Sequence, residues 1–307
     1  MLTLKRILCP VDLSEVSAHG AEWAGTIAGW YGATVTAVHA VDPIVPALQG
    51  SGRATQRRKD DLADDVRRRL EGEARAMFDA AVKAGTEVHA VVDLASPSAA
   101  ILKHAESLPA DLIVMGTHGA SGFERLVLGS VTEKVLRKAR CPVLTVPPKA
   151  EATSRLPFSH VLCAVDFSDS SLRGVDYAMS LAKESDARLT LVHIVEWPWP
   201  EPPPPPMDEV PPVLAMQLGD FRRHREQEAA ARLLTLIPEE ARDWCQPTIE
   251  VRHGKAYVEV LRVAAEAQAD LIVIGMHGRN PIDLAMFGST VNQVVRRARC
   301  PVLTIRT

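Results

Sequence analysis

Hydrophobic and polar positions along this chain keep changing period. Short apolar runs, rich in β-branched residues, alternate with stretches whose apolar residues recur at helical spacing. Residues 4–9, 34–39, 87–91, 112–115 and 143–146 read as strands. The run at 112–115, LIVM, is continuously apolar, as expected of a strand covered on both faces. Between the strands the period lengthens. From a cap at Ser14 to about residue 30, Ala18, Ala21, Trp23, Ala24, Ile27 and Ala28 mark one helix face. A long charged helix is predicted over 60–84, and a short one over 97–107 with Pro97 in its first turn. A last helix is predicted over 130–139. Helices alternating with buried strands imply βαβ units, a parallel sheet, right-handed crossovers and helices on both faces.

The second half of the chain repeats this order. DLIVMGTHGASGFERLVLGSVTEKVLRKARCPVLTV at 111–146 returns as DLIVIGMHGRNPIDLAMFGSTVNQVVRRARCPVLTI at 270–305. Both carry a glycine, two residues, a glycine, nine residues, then Gly-Ser. These are Gly116, Gly119, Gly129 and Ser130, then Gly275, Gly278, Gly288 and Ser289, an offset of 275 − 116 = 159. The strand ending in Asp12 matches the one ending in Asp166, an offset of 166 − 12 = 154. A period this long means two whole domains rather than a solenoid. The expected boundaries are 1–148 and 159–307, joined by a polar, proline-bounded linker at 149–158.

Length and charge agree with this. The 307 residues suggest two domains. A net charge of −3 offers no whole-chain attraction for nucleic acid. The opening residues, MLTLKRILCPVD, lack an apolar stretch long enough for a signal peptide. No run approaches the ~20 apolar residues of a membrane span, so a cytoplasmic protein without membrane partners is expected. Of five cysteines, Cys9, Cys163, Cys141 and Cys300 recur in or beside strands. They read as small buried hydrophobes rather than metal or redox groups.

The glycine pattern carries the chemistry. Gly116 follows a buried strand, where ligands of open α/β sheets bind. Gly116 and Gly119 would let a ligand approach the backbone. Gly129-Ser130 opens a helix whose free N–H groups and dipole make an anion site, with Ser130 able to cap the helix and to bond a phosphate oxygen. The stretch between would bring Arg125 near the phosphates. A nucleotide fits this layout. Asp12 and Asp166, at the same rim, suit ribose hydroxyls or a metal beside phosphate; the alternative is a helix cap. The spacing is neither GxxxxGK[ST] nor GxGxxG, so it implies neither a Walker loop nor a dinucleotide. His118 and His277 share a slot before the second glycine but have no partner at metal-ligand spacing. His39 and His193 read as structural, with a ring nitrogen bonded to backbone. No nucleophile–base arrangement stands out. The segments 42–58 and 197–212 (WPWPEPPPPPMDEVPP) read as loops, the latter extended by its prolines.

On these motifs the chain resembles the universal stress protein family, in its ATP-binding branch, over nearly the whole of both halves. The resemblance implies two Rossmann-like (adenine nucleotide α-hydrolase-like) domains. Each would be a five-stranded parallel sheet of order 3-2-1-4-5. It implies ATP, with Mg2+ as a candidate companion. Adenine would lie near Val41 or Val195. The carried-over residues are Asp12, Gly116, Gly119, Gly129, Ser130 and Val131, then Asp166, Gly275, Gly278, Gly288, Ser289 and Thr290. Met115 and Ile274, which end the preceding strands, are counted with them. The second copy departs from the first: Pro281 replaces Gly122 and Leu284 replaces Arg125, with Arg279 a candidate substitute charge.

The expected function is nucleotide-dependent regulation of a stress response through ATP binding. Two rivals stand beside it: a slow ATPase or phosphotransferase, and a nucleotide-free scaffold acting through a protein partner. In the implied strand order the fifth strand is an apolar edge that must be covered. The two copies are therefore expected to pair with each other as an intrachain pseudo-dimer, with the sites facing away from the seam. A proline at Leu144 is expected to loosen that pairing. Further pairing of whole chains is left open.

Overall fold

A computed structural model of the protein describes residues 2–41, 56–117, 128–148, 156–196, 212–276 and 288–306. The first half runs β1 (Arg6–Pro10), α1 (Glu15–Tyr31), β2 (Thr34–Ala40), α2 (Gln56–Ala76), α3 (Asp79–Lys83), β3 (Val88–Asp93), α4 (Pro97–Ser107), β4 (Leu112–Gly116), α5 (Ser130–Lys138) and β5 (Val143–Val146). The second half runs β6 (His160–Ala164), α6 (Asp169–Ser185), β7 (Arg188–Val195), α7 (Pro212–Thr235), a 3-10 turn (Glu239–Asp243), β8 (Thr248–His253), α8 (Ala256–Glu266), β9 (Leu271–Gly275), α9 (Ser289–Arg297) and β10 (Val302–Ile305).

All ten strands form one sheet of order β3-β2-β1-β4-β5-β10-β9-β6-β7-β8. Within each half every pairing is parallel. Alternate residues of each strand feed opposite faces. Ile7 and Cys9 of β1, with Val161 and Cys163 of β6, join a core beneath α1, α2, α3, α6 and α7. Leu8 and Leu162 join a second core beneath α4, α5, α8 and α9. Each core runs through both halves without a break.

The halves meet where β5 pairs antiparallel with β10, Leu144 opposite Leu303. The Ile113 N–H donates to the Pro142 carbonyl and the Thr117 N–H to that of Val146, so the even-numbered residues of β5 face β4. Val143 and Thr145 therefore face β10. The Thr145 hydroxyl donates to the Val302 carbonyl, and the Thr304 hydroxyl to that of Val143, both at 3.1 Å. A proline at Leu144 would thus strike the ladder with β4 rather than the seam, which corrects the expectation; Thr145 is the position that tests it. Around the seam, Phe158 packs on Trp23 and Trp30 of α1, each ring 5.5 Å away. Tyr31 and Ser180 share a hydrogen bond at 2.9 Å, and Arg306 donates to the carbonyl of Arg137 at the end of α5.

One predicted helix is two. The run 60–84 breaks after Ala76 and resumes at Asp79. Phe78 leaves helical geometry (φ −109°, ψ 16°) and enters the core at 2% exposure. The turn sets Ala81 against Gly25 of α1, where a β-carbon on the glycine would sit 2.6 Å from that of Ala81. Residues 56–58, read as the end of a loop, begin α2 instead. The proline-rich run up to residue 211, the rest of the 42–58 segment, and the stretches 118–127 and 277–287 lie outside the described residues.

Candidate functional site

Because β5 and β10 are antiparallel, the C-terminal strand ends of the two halves lie on opposite rims of the sheet. Each rim is built alike. Val11 follows β1, and its N–H donates to the Val38 carbonyl; Asp12 comes next. Asp12 Oδ1 accepts from the Ser14 backbone N–H at 3.1 Å and from the Ser14 hydroxyl at 2.5 Å. The Ser14 hydroxyl oxygen in turn accepts from the Ser17 N–H and caps α1. In the second half Asp166 holds Ser168, at 3.0 and 2.5 Å, and Ser168 caps α6. The bulky residue in each turn is forced into the left-handed region: Leu13 at φ 62° and Phe167 at φ 65°. Such strain persists only where surrounding contacts over-determine it, and it favours ligand sites. Both readings of the aspartates have structural content. One carboxylate oxygen organises the turn, and the turn fixes the carboxylate at the rim.

The glycine-serine helices differ from these capped ones. The N-cap of α5 is Gly129 and that of α9 is Gly288, and among the described residues neither helix start has a side-chain cap bond. Ser130 and Ser289 are the first helical residues, not caps, which corrects the expectation for Ser130. A serine one position inside leaves the first-turn N–H groups open to an outside acceptor. Their placement is fixed from behind. The Thr132 hydroxyl donates to the Gly116 carbonyl at 2.9 Å, and the Gly129 N–H to the Thr117 carbonyl at 2.9 Å. A β-carbon on Gly288 would meet the Met276 carbonyl at 3.2 Å. At Gly275 a β-carbon would lie 2.6 Å from Ser170 Oγ and 2.7 Å from the Ser171 nitrogen. That glycine is required so that α6 can pack on β9, a reason the sequence argument, which invoked ligand approach, did not supply.

In the second half the predicted residues converge. Asp166, Val195, Ile274, Gly275, Gly288, Ser289 and Thr290 all line one cavity of about 500 Å³. That volume lies within the range of pockets that hold small ligands. Val195 is the last residue of β7 rather than the residue beyond it. In the first half Asp12, Val41, Gly116, Gly129, Ser130 and Val131 occupy the same relative positions at the ends of β1, β2 and β4 and the start of α5. The Val41 N–H is used by the Asp93 carbonyl at 2.9 Å. Met115 is buried in the core, 4% exposed. Gly119, Arg125, Gly278, His118 and His277 lie outside the described residues, as do Gly122, Arg279, Pro281 and Leu284.

Several cavity residues escaped the sequence reading. His193 was assigned a structural role, and its Nδ1 does lie 2.6 Å from the Val165 carbonyl, as His39 Nδ1 lies 2.9 Å from that of Val11. His193 also lines the cavity, its ring 4.8 Å from that of Phe167. Glu196 lines it too, while accepting the Ala256 N–H at 2.7 Å. Arg225 reaches it from α7. The cysteines are unpaired, and burial pushes their thiols up, Cys141 and Cys245 to about 11 and Cys300 to about 12. Thiols so far from ionisation are poor nucleophiles. Among the described residues no cluster of His, Cys, Asp or Glu could hold a metal, and no helix is long and apolar enough to cross a membrane.

Comparison with known proteins gives a consistent result. The sequence profile of the "Universal stress protein family" matches residues 3–147 and again 157–306. A universal stress protein of Mycolicibacterium smegmatis is 26% identical over 308 residues, covering 98% of this chain and 96% of its own. A universal stress protein of Methanocaldococcus jannaschii is 37% identical over 152 residues, 48% of this chain and 85% of its own. Among solved structures, the crystal structure of a universal stress protein from Archaeoglobus fulgidus superposes with a TM-score of 0.65 at 22% identity, covering 98% of each chain.

Proposed function

The chain belongs to the universal stress protein family, and from that premise we propose that it binds ATP at both rims and acts as a nucleotide-dependent regulator in a stress response. The observation that carries this reading is the second-half cavity, lined by Asp166, Val195, Gly275, Gly288, Ser289 and Thr290. Its polar groups suit the parts of a nucleotide. The uncapped start of α9, with the Ser289 and Thr290 hydroxyls, suits the phosphates. The Asp166 rim suits ribose hydroxyls, and the end of β7 at Val195 suits a flat base. The first half offers the same layout at Asp12, Val41, Gly116, Gly129, Ser130 and Val131, with residues Gly119 and Arg125 completing the motif in sequence. Mg2+ would enter with the phosphates.

A regulator is favoured over an enzyme by what surrounds the rim. Asp12 and Asp166 are engaged in their turns by Ser14 and Ser168, and no cysteine is among the residues lining the described cavity. The reading extends to a protein of the cytoplasm whose two halves are the units 1–148 and 159–307. The experiment is direct: denature the purified protein and identify the released small molecules by mass spectrometry, then titrate stripped protein with ATP by calorimetry. Released adenine nucleotide and saturable ATP binding support the reading. No nucleotide and no binding heat over a wide concentration range would exclude it in favour of a nucleotide-free scaffold.

A further inference from the structure

The second copy of the motif has Leu284 where the first has Arg125, so that position carries no cation, and Arg279 lies five residues earlier in the stretch. The structure supplies one from another element. Helix ends Ala76 and Thr235 are 235 − 76 = 159 residues apart, the same interval that separates Gly116 from Gly275. On that register Arg225 of α7 stands where α2 has Val66, which is 45% exposed and uncharged. Arg225 lines the second-half cavity together with Asp166, Ser289 and Thr290. Its side chain is 40% exposed, and among the described residues its ion pair is with Glu228, one Nη1 donating at 3.1 Å along the same helix. A guanidinium carries five N–H donors, so most remain available to a ligand.

The stem that presents Arg225 is well anchored. Seven residues further along α7, Arg232 stacks over the Phe167 ring, its guanidinium carbon 3.8 Å from the centroid. Leu233 is fully buried in the core. Phe167 belongs to the strained turn after Asp166. The helix is therefore keyed to the rim itself, and Arg225, two turns towards its N-terminus, overhangs the cavity mouth. That places a cation in the same cavity as Ser289 and Thr290, where the proposed layout puts the phosphates.

We propose that Arg225 is a specificity-determining residue of the second site, selecting nucleotides with an anionic phosphate tail over the bare nucleoside and replacing on α7 the charge absent at Leu284. This rests on the reading of the cavity as a nucleotide site. It gives the second site a cation from a helix that has an uncharged valine at the matching place in the first.

The test uses the full chain and reads each site separately by peptide-resolved hydrogen exchange during titration with ATP or with adenosine. Protection of Ser289–Arg297 reports the second site, and protection of Ser130–Lys138 the first. In Arg225→Ala the ATP midpoint at Ser289–Arg297 should rise about tenfold, as for loss of one charge-assisted contact at a half-exposed position. The adenosine midpoint should stay where it is, and Arg225→Lys should recover most of the loss. The first-site peptide should not respond. An unchanged ATP midpoint in Arg225→Ala overturns the proposal, and so does an equal shift for adenosine, which would place the guanidinium on the base. If neither ligand protects Ser289–Arg297 in the unaltered protein, the nucleotide reading of this cavity fails and the proposal falls with it.

Discussion

The two halves of the molecule share a core and differ at their edges. At the start of the first strand Arg6 is half exposed and pairs with Asp111 at 3.6 Å. Its counterpart His160 is 5% exposed, with Nδ1 3.0 Å from the Ala267 carbonyl and Nε2 2.8 Å from the Thr190 hydroxyl. Asp111 accepts two backbone N–H groups, whereas its counterpart Asp270 accepts two backbone N–H groups and the Ser159 hydroxyl. The strand interiors show no such drift: Leu8 and Leu162, or Cys9 and Cys163, are equally buried. A strand residue inside this sheet is packed on both faces and paired on both sides, so a change of size is felt immediately. A residue at a strand end answers to fewer neighbours. The copies have therefore diverged at the strand starts, the rim away from the ligand cavity, while the Asp12–Ser14 and Asp166–Ser168 turns at the strand ends stay alike.

The largest expected effect tests whether the halves are one unit. Thr145→Pro removes a seam-facing amide and the hydroxyl bond to Val302. A loss of roughly 3–5 kcal/mol is expected, among the larger single-substitution effects. Calorimetry should show one transition splitting into two; a single transition at an unchanged temperature would mean that the halves are held by the helices and not by the strands. Next comes Gly275→Ala. Its β-carbon would press on Ser170 and Ser171, and overpacking of this kind costs about 1–3 kcal/mol. Chemical denaturation measures it, and retained stability would show that α6 can retreat from β9. A smaller effect concerns the phosphate helices. Ser130→Ala and Ser289→Ala should each weaken ATP at their own site by roughly tenfold, the loss of one hydrogen bond to a charged group. The first site, with Gly122 and Arg125 in its loop, is expected to bind tighter than the second. With Arg225 changed to Ala to remove its compensating charge, equal midpoints by hydrogen exchange would show that Pro281 and Leu284 carry no cost.

The smallest effect separates the halves by acid. Burial holds the His160 imidazole below its ordinary value of 6.5. The folded state then binds fewer protons than the unfolded one between the lowered value and 6.5, so stability rises with pH across that window and is lost as pH falls through it. His160→Gln should flatten this part of the stability–pH curve, measured by urea denaturation. An unchanged slope would assign the acid sensitivity to other groups.

Much of this architecture was legible in the residues. The alternation of periods placed every first-half strand within a residue or two, because strands covered on both faces are written as unbroken apolar runs such as LIVM. The strand order implied by the family resemblance made the fifth strand an edge in each half, and with two copies in one chain it predicted the meeting of β5 with β10. Other features were invisible for physical reasons. The stretch Ala76-Met77-Phe78-Asp79-Ala80-Ala81 has no helix breaker; the burial of Phe78 and the fit of Ala81 against Gly25 are tertiary contacts that local sequence does not show. Gly-Ser before a helix leaves the cap ambiguous by one residue, and backbone geometry chose Gly129. Which side of β5 the Leu144 amide faces depends on hydrogen-bond parity, which composition does not encode. Arg225 lay hidden among the charges of α7 and becomes visible only when the helix ends are aligned.

The antiparallel seam has one more consequence, for inheritance. A symmetric assembly of two identical chains must accept every substitution twice, once on each side of its axis, so a change useful at one site and harmful at the other is lost. Joining both copies in one polypeptide lifts that rule. Pro281 and Leu284 stand in one copy of the motif and not the other, and Arg225 in one helix while Val66 stands in its twin. The Thr145–Val302 and Thr304–Val143 bonds keep the partners together while their rims part company. Such a chain is free to let its two rims change independently within a single folded body.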